Sequence, residues 1–324
     1  MYSLSDTARE EYLRTHLEER YGVGIIELHR LERGVFSVNL RDGRRWIARV
    51  FPAERSVEHV EGDARVLRFL EKHGFPAERC ADADADPVSV LYGRGILVTN
   101  YIEGVSAGSR NLALNAFGKM LGRLNMLPID DGMIMRKAGG LHHYVQSGGE
   151  PENDLIAAAS WLEAIEDRVP EQNRKLYESL CEQVAGCDNC HNLPEAPIHP
   201  DPVLKNFLVM DSNDLVLIDW TGAGRGPRIA SLAVLIWSCA MVKGGWSPRR
   251  VDAVVAGYRS YIGLEQNELL RLANVMRIRP LVFACRRFRH AVVSEKPVDG
   301  TEWWWPDDEL AQAIAARACA AFQK

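Results

Sequence analysis

The chain has 324 residues, 47% of them hydrophobic, and a formal net charge of −5. That length is too great for one typical core and predicts two domains. The ordinary apolar content and small negative charge predict a soluble globular protein, and they give no reason to expect a nucleic acid or an anionic membrane as partner.

Neither export nor membrane insertion is predicted. The first residues carry no basic region followed by an apolar core, which argues against a signal peptide. The longest apolar run, 229–242, is too short to span a bilayer. Seven cysteines without a regular framework fit a reducing, cytoplasmic location.

A C-x-x-C-H sequence at Cys187, Cys190 and His191 has two interpretations. With Cys181 it could supply part of a zinc site, but the chain has no second C-x-x-C pair to complete it. The other interpretation is a set of thiols at the end of a helix and in the following loop.

The first hundred residues predict helices around an antiparallel sheet. Helical spacing of apolar residues predicts an amphipathic helix over 5–21 and a second helix over 56–73. Alternating apolar residues from Ile25, with a turn at Asp42-Gly43, predict a three-stranded meander. A further hairpin is predicted over 88–104.

The remainder is predicted to be mostly helical, so the fold class is α+β. Pro280 is expected to kink or split the helix that contains it. Helices are predicted over 112–127, 155–185 with a break at Pro170, 229–242, 249–261, 265–290 and 308–322.

Between the helices, two short apolar runs flank the polar turn 211–214 and predict a β-hairpin. If Met210 pairs with Leu215, the register continues outward until Asn206 faces Asp219, with their Cβ atoms roughly 5 Å apart. Oxygen ligands of this kind suit Mg²⁺ and a phosphate better than zinc.

Asp201 precedes Asn206 by five residues, and this D-x-x-x-x-N spacing with a later Asp is the layout used for phosphoryl transfer. His199-Pro200-Asp201, Asn206 and Ile218-Asp219-Trp220 resemble the motifs of the aminoglycoside phosphotransferase and choline kinase superfamily, small-molecule kinases with a protein-kinase-like fold. The chain departs from the family pattern in two places. In the loop, Pro200 replaces a Gly and Val203-Leu204-Lys205 replace small or polar residues. In the helix that follows, Ser231 replaces the Asp of an Asp-Leu-Ala triplet.

The resemblance implies a bilobed architecture and a role for each motif residue. Residues 1–102 would form the lobe that covers the nucleotide, and 103–324 the catalytic and substrate-binding lobe. Asp201 would position and deprotonate the acceptor hydroxyl, while His199 braces the loop. Asn206 and Asp219 would bind Mg²⁺.

A kinase also needs a loop over the phosphates of ATP, a cation that reaches them and a carboxylate that orients the cation. The candidate loop contains Gly34 and Ser37. The candidate cation is Arg49, a single charge on an otherwise apolar strand. Its predicted partner lies on the helix over 56–73 and is Glu61, with Asp63 as the alternative.

Two further expectations concern adenine and the acceptor. The resemblance implies that the backbone of Asn100, Tyr101 and Ile102 hydrogen-bonds adenine. A basic cluster that would favour an anionic or hydroxylated substrate consists of Arg277, Arg279, Arg286, Arg287 and Arg289. An acidic and aromatic stretch that would suit a cation, or anchor the last helix, consists of Asp299, Glu302, Trp303, Trp304, Trp305, Asp307 and Asp308.

The predicted function is an ATP-dependent phosphotransferase that acts on a hydroxyl of a small molecule. The acceptor would be an antibiotic such as an aminoglycoside, or a metabolite such as an amino alcohol, a hydroxy amino acid or a sugar. One alternative is a kinase-like protein that binds nucleotide without transferring phosphate. Another is a metal-dependent phosphohydrolase that uses His199, Asp201 and Asp219.

Overall fold

The computed structural model describes residues 6–107, 114–129, 136–138, 151–298 and 308–324. They form two compact units, the first built from residues up to 105 together with 208–221, and the second from 106–207 and 222–324. The units are therefore not continuous in sequence, because a hairpin from the middle of the chain folds with the N-terminal residues. The acidic and aromatic stretch over 299–307 lies outside the described residues.

The first unit is built on a five-stranded antiparallel sheet. Its elements are α1 (Asp6–Tyr21), β1 (Ile25–Glu32), β2 (Val35–Leu40), β3 (Arg45–Val50), α2 (Val57–Lys72), β4 (Val88–Leu91) and β5 (Arg94–Asn100). The strand order is β1-β2-β3-β5-β4. The predicted meander and the predicted hairpin are thus one sheet, joined where β3 pairs with β5.

Apolar side chains of α1 and of one sheet face form the core of this unit. Leu13 and Leu17 of α1 pack with strand residues that include Trp46, which is fully buried at the centre. Ser56 caps α2 by accepting a hydrogen bond from the His59 N–H, as expected of a serine before a helical run. Burial of one face of each element is what orients β3 and α2.

The second unit is mostly helical. Its elements are β6 (Val105–Ser106, divided between the units), α3 (Asn115–Asn125), α4 (Pro151–Glu163), α5 (Arg174–Ala185), β7 (Glu195–Ile198), β10 (Gly224–Pro227), α6 (Arg228–Ala240), β11 (Met241–Val242), β12 (Gly245–Trp246), α7 (Pro248–Arg259), α8 (Gln266–Val293) and α9 (Asp308–Phe322). The intervening hairpin strands, β8 (Phe207–Val209) and β9 (Leu215–Leu217), belong to the first unit except for Phe207. The α+β prediction is confirmed. Helix α8 runs on through Pro280 and is not split. No helix in the described part of the chain has the length and apolar character needed to cross a membrane.

Two glycines let α3 and α7 cross at close range. A Cβ on Gly118 would lie 2.0 Å from the Val254 carbonyl oxygen, and one on Gly257 would lie 1.9 Å from that of Asn115. Because these are backbone atoms, no side chain can be accommodated at either position. Helix α3 also contacts the strand before the predicted catalytic loop, since the Asn125 amide donates to the Pro197 carbonyl over 2.8 Å.

Candidate active site

The predicted catalytic loop follows β7 and is held by its own hydrogen bonds. His199 is fully buried, and its Nδ1 accepts the Asp201 N–H over 3.1 Å. A single 3₁₀ turn, Leu204–Asn206, ends the loop. The Asn206 amide nitrogen donates to the Asp201 carbonyl over 2.8 Å. These bonds bring His199, Asp201 and Asn206 together, and they place His199 as a brace for the backbone.

Two serines of helix α6 hydrogen-bond to the backbone of the same loop. The Ser231 hydroxyl donates to the His199 carbonyl over 2.5 Å, and Ser231 is buried. The Ser238 hydroxyl accepts the Leu204 N–H over 3.2 Å. Ser231 stands where the family pattern has Asp, so in this chain a hydroxyl contacts the loop from that position.

An ion pair on Asp201 was not foreseen from the sequence. The Arg279 guanidinium of α8 donates to the Asp201 carboxylate over 2.5 Å, and it lies 4.9 Å from the ring centre of Phe283. Among the described residues, the buried Arg279 Nε has no hydrogen-bond partner. The sequence indicated a basic cluster here, but nothing in it showed that one arginine contacts the candidate base from 78 residues away.

Within the first unit, Arg49 pairs with Glu78. The Arg49 Nη1 lies 2.8 and 2.9 Å from the two carboxylate oxygens, and Glu78 is only 4% exposed. Burial alone would lower the pKa of Arg49, but the carboxylates of Glu78, Asp219 and Asp63 outweigh it and raise that pKa. Arg49 is therefore a permanent cation surrounded by acidic groups.

The predicted pairing of Arg49 with Glu61 or Asp63 is therefore wrong. The Asp63 carboxylate is buried and forms its ion pair with Arg55 over 2.6 Å. The Glu61 side chain is half exposed and lies 3.9 Å from Arg65, one helical turn away. Glu61 lies on the exposed face of α2, and Asp63 is paired with Arg55. The ion-pair partner of Arg49 is therefore Glu78, from the loop after the helix.

Asp219, the predicted metal ligand of this unit, has unusual backbone geometry. Its φ is +66°, a left-handed conformation that non-glycine residues seldom adopt and that costs about 1–3 kcal/mol. The Glu78 carboxylate accepts the Asp219 N–H over 2.8 Å and the Trp220 N–H over 3.3 Å. Such strain is maintained only where neighbouring groups impose it, and it often accompanies function.

The predicted hairpin is present, but its register differs by one residue. The Met210 N–H donates to the Asp214 carbonyl over 2.9 Å, so Met210 pairs with Asp214 and not with Leu215. Asn213, at φ +64°, ends the turn in a left-handed conformation, which closes a three-residue loop. This register does not predict that Asn206 faces Asp219, and the proximity of those two residues stays a prediction.

The candidate phosphate loop is a tight turn between β1 and β2. Gly34 has a φ of +79°, and a Cβ there would lie 2.6 Å from the Val50 carbonyl oxygen, so this position requires glycine. Its carbonyl accepts the Val50 N–H over 2.7 Å, next to Arg49 on β3. Ser37 is buried on β2 opposite Ile47.

The candidate adenine-binding residues follow the last strand of the sheet. The Asn100 N–H donates to the Arg79 carbonyl, and the Tyr101 N–H to the Arg45 carbonyl, each over 2.9 Å. The Arg45 guanidinium also stacks 3.8 Å from the centre of the Tyr101 ring. Both N–H groups are thus used within the unit, and the role of the Asn100, Tyr101 and Ile102 backbone in binding adenine stays a prediction.

The C-x-x-C-H segment is a loop held by an ion pair. Arg271 of α8 pairs with Asp188, and the Asp188 carboxylate also accepts the Cys190 N–H. Burial raises the pKa of the Cys190 thiol to about 12, which keeps it protonated. Among the described residues, no group of three or more His, Cys, Asp or Glu side chains could hold a metal ion.

Solved structures share the fold at low sequence identity. An aminoglycoside phosphotransferase from Streptomyces rimosus, APH(3'')-Id, is 21% identical, covers 86% of this chain and 99% of its own, and has a TM-score of 0.57. Amicoumacin kinase hAmiN, solved with AMP-PNP and Ca²⁺, is 13% identical over 91% of this chain and 98% of its own, with a TM-score of 0.59. Choline kinase LicA from Streptococcus pneumoniae is 14% identical over 98% and 99%, with a TM-score of 0.57.

The family model described as "Phosphotransferase enzyme family" matches residues 29–268, which include Arg49, the predicted catalytic loop and Asp219. No curated protein sequence matches the chain. Because the model covers most of the chain, and the fold is that of small-molecule phosphotransferases, the predicted superfamily is confirmed: the chain belongs to the phosphotransferase enzyme family.

Proposed function

We propose that this chain transfers the γ-phosphoryl group of ATP to a hydroxyl of a small molecule. The observation that carries the proposal is the hydrogen-bonded loop of His199, Asp201 and Asn206, in which a carboxylate and an amide have the spacing that phosphoryl transfer uses. Support also comes from similar folds solved with ADP and streptomycin, and with AMP-PNP and Ca²⁺.

The oxygen ligands fit a magnesium ion. The Asn206 amide nitrogen is committed to the Asp201 carbonyl, so its amide oxygen is the atom left to face a cation. The other predicted ligand, the Asp219 carboxylate, is likewise a hard oxygen ligand of the kind that Mg²⁺ prefers. When bound, Mg²⁺ would neutralise phosphate charge. Arg49 would add a fixed positive charge for the ATP phosphates.

In this proposal Asp201 accepts the proton of the acceptor hydroxyl while the hydroxyl oxygen bonds to the γ-phosphorus and ADP leaves. His199 keeps the loop in place, since it is buried and its ring nitrogen is bonded to the loop backbone. General-base assistance of this kind contributes about 10²–10⁴-fold. Residues 1–102 would cover the nucleotide, with Gly34 and Ser37 near the phosphates and the backbone of Asn100, Tyr101 and Ile102 near adenine.

The acceptor has to approach a carboxylate that already carries a guanidinium. Arg279 would attract an acceptor with a negative group near its hydroxyl and repel a polycation. We therefore add hydroxy acids and sugar phosphates to a panel of aminoglycosides, other antibiotics, choline, ethanolamine, hydroxy amino acids and sugars.

The test is ADP release from Mg·ATP across this panel. Asp201→Asn should lower the rate of ADP release about 10²-fold or more. Asp211 is an exposed aspartate in the hairpin turn, and Asp211→Asn should match the unmodified protein. Full activity of Asp201→Asn would refute the assignment of the base.

The same ion pair favours one second candidate, a protein that binds nucleotide without transfer. Arg279 occupies an oxygen of the carboxylate that would accept the proton. Binding of Mg·ATP with no ADP release on any acceptor, in both the unmodified protein and Arg279→Gln, would support this second candidate.

A further inference from the structure

The buried carboxylate of Glu78 contacts both Arg49, the candidate phosphate-binding cation, and the backbone of Asp219, the candidate metal ligand. Glu78 lies in the loop between α2 and β4 and is 4% exposed. The loop is fixed against β9: the Leu217 N–H donates to the Pro76 carbonyl over 3.0 Å, and Ala77 forms a parallel bridge with Leu217. Glu78 therefore lies beside the turn that carries Asp219.

The donors around this carboxylate come from three separate segments. Arg49 on β3 reaches both oxygens, at 2.8 and 2.9 Å. The Thr99 hydroxyl on β5 donates over 3.3 Å. The N–H groups of Asp219 and Trp220 donate over 2.8 and 3.3 Å. A buried carboxylate is stable when it has donors of this number and charge.

The two backbone donors bear on the conformation of Asp219. Successive N–H groups that converge on one anion form a concave anion site when a residue is left-handed, and Asp219 has a φ of +66°. The charge of Glu78 thus stabilises a conformation that the backbone of an aspartate disfavours. The direction of the Asp219 side chain depends on that conformation.

We propose that Glu78, and not a carboxylate of α2, is the positioning residue that couples Arg49 to Asp219. The inference rests on the proposed function, because it assigns to Arg49 the ATP phosphates and to Asp219 the metal. The Glu78 carboxylate then positions the Arg49 guanidinium, which binds phosphate. It also holds the backbone of Asp219, whose conformation directs the metal-binding side chain. Loss of its charge disturbs phosphate binding and metal binding together.

The test compares Glu78→Gln with Glu71→Gln, an exposed α2 glutamate near Arg79. Affinity for a fluorescent ATP analogue is titrated with Mg²⁺ and with EDTA, and thermal unfolding confirms that each variant is folded. Glu78→Gln should weaken Mg·ATP binding about tenfold or more, as loss of a charged hydrogen bond does. It should also reduce the ratio of the affinity measured with Mg²⁺ to the affinity measured with EDTA. Glu71→Gln should change neither.

A merely structural role would lower stability and leave the magnesium ratio intact, so that ratio is the decisive measurement. In an Asp219→Asn background, Glu78→Gln should not lower the ratio further, because its effect on the metal acts through Asp219. If Glu78→Gln does not accumulate as folded protein, Glu78→Asp replaces it. That variant keeps the charge but is too short to reach both Arg49 and the backbone donors.

The outcomes separate this inference from the proposed function. If the unmodified protein binds no Mg·ATP, the proposed function fails and the coupling fails with it. If the unmodified protein binds and Glu78→Gln behaves as Glu71→Gln does, only the role of Glu78 is overturned. The same holds if Asp63→Asn, and not Glu78→Gln, removes the magnesium enhancement.

Discussion

Stability of the second unit should depend strongly on the buried ion pair between Arg228 and Glu268. Two bonds, at 2.9 and 2.6 Å, join the first residue of α6 to the first turn of α8, and Glu268 is fully buried. The Glu268 carboxylate also accepts the Glu265 N–H over 2.8 Å, as part of a capping box. These two helices carry Ser231 and Arg279, which contact the predicted catalytic loop.

The magnitude follows from what Glu268→Ala leaves behind. Removing one partner of a buried pair costs about 3–5 kcal/mol, because the remaining charge stays desolvated. Loss of the cap adds about 0.5–2 kcal/mol. Since Arg228 is 9% exposed and can gain some hydration, we expect a total of about 4 kcal/mol. Glu268→Gln keeps a neutral acceptor and should cost less.

Equilibrium unfolding in urea, followed by tryptophan fluorescence, measures this change. With a slope of about 1–3 kcal/mol per molar urea, the midpoint should fall by roughly 1–4 M. Glu178→Ala, an exposed glutamate on α5, is the matched control and should stay within about 0.5 kcal/mol. A loss below about 1 kcal/mol for Glu268→Ala would show that Arg228 finds other partners or water, and the reasoning would be refuted.

Three other substitutions test the site and its surroundings. Asp219→Ala should remove the magnesium-dependent part of ATP binding, measured by titration with and without EDTA; unchanged magnesium dependence would exclude Asp219 as a ligand. Ser231→Ala removes the hydroxyl that donates to the His199 carbonyl, so ADP release should fall about 5–30-fold, the equivalent of about 1–2 kcal/mol, with ATP affinity retained. Partial burial of Asp188 by itself raises its pKa, but the bonds from Arg271 and the Cys190 N–H lower it overall. A carboxyl whose pKa is lowered by folding stabilises the fold at pH values above its ordinary pKa of about 3.9. That stabilisation is lost as the pH falls through the lower pKa of the folded state. Asp188→Asn should therefore flatten the acid limb of a stability–pH curve, and an unaltered limb would contradict this.

Local patterns were sufficient to predict most elements. The Asp42-Gly43 turn, the start of a helix at Ser56 and the break at Pro170 each depend on a few adjacent residues, and the structure has a turn, a helix start and an interruption at these places. Helical spacing likewise placed α6 to within two residues of its observed ends. Such features depend on backbone preferences and on which face is apolar, and both can be read from neighbouring residues.

The hairpin register was beyond those patterns. A four-residue polar turn permits more than one closure, and the left-handed Asn213 selected the one that pairs Met210 with Asp214. A shift of one residue exchanges the faces on which side chains lie. Turn chemistry at Asn213 was the available signal, since asparagine tolerates that conformation better than most residues.

The sequence by itself determined the α+β class, the superfamily and the candidates Asp201, Asn206, Asp219 and Arg49, because motif spacing and periodicity are local properties. Only the tertiary structure decided the partners of those candidates. Glu78 meets Arg49 across 29 residues and Asp219 across 141, and Arg279 meets Asp201 across 78. A charge far along the chain carries no mark of its partner, since folding brings the two together only when the apolar faces between them are buried.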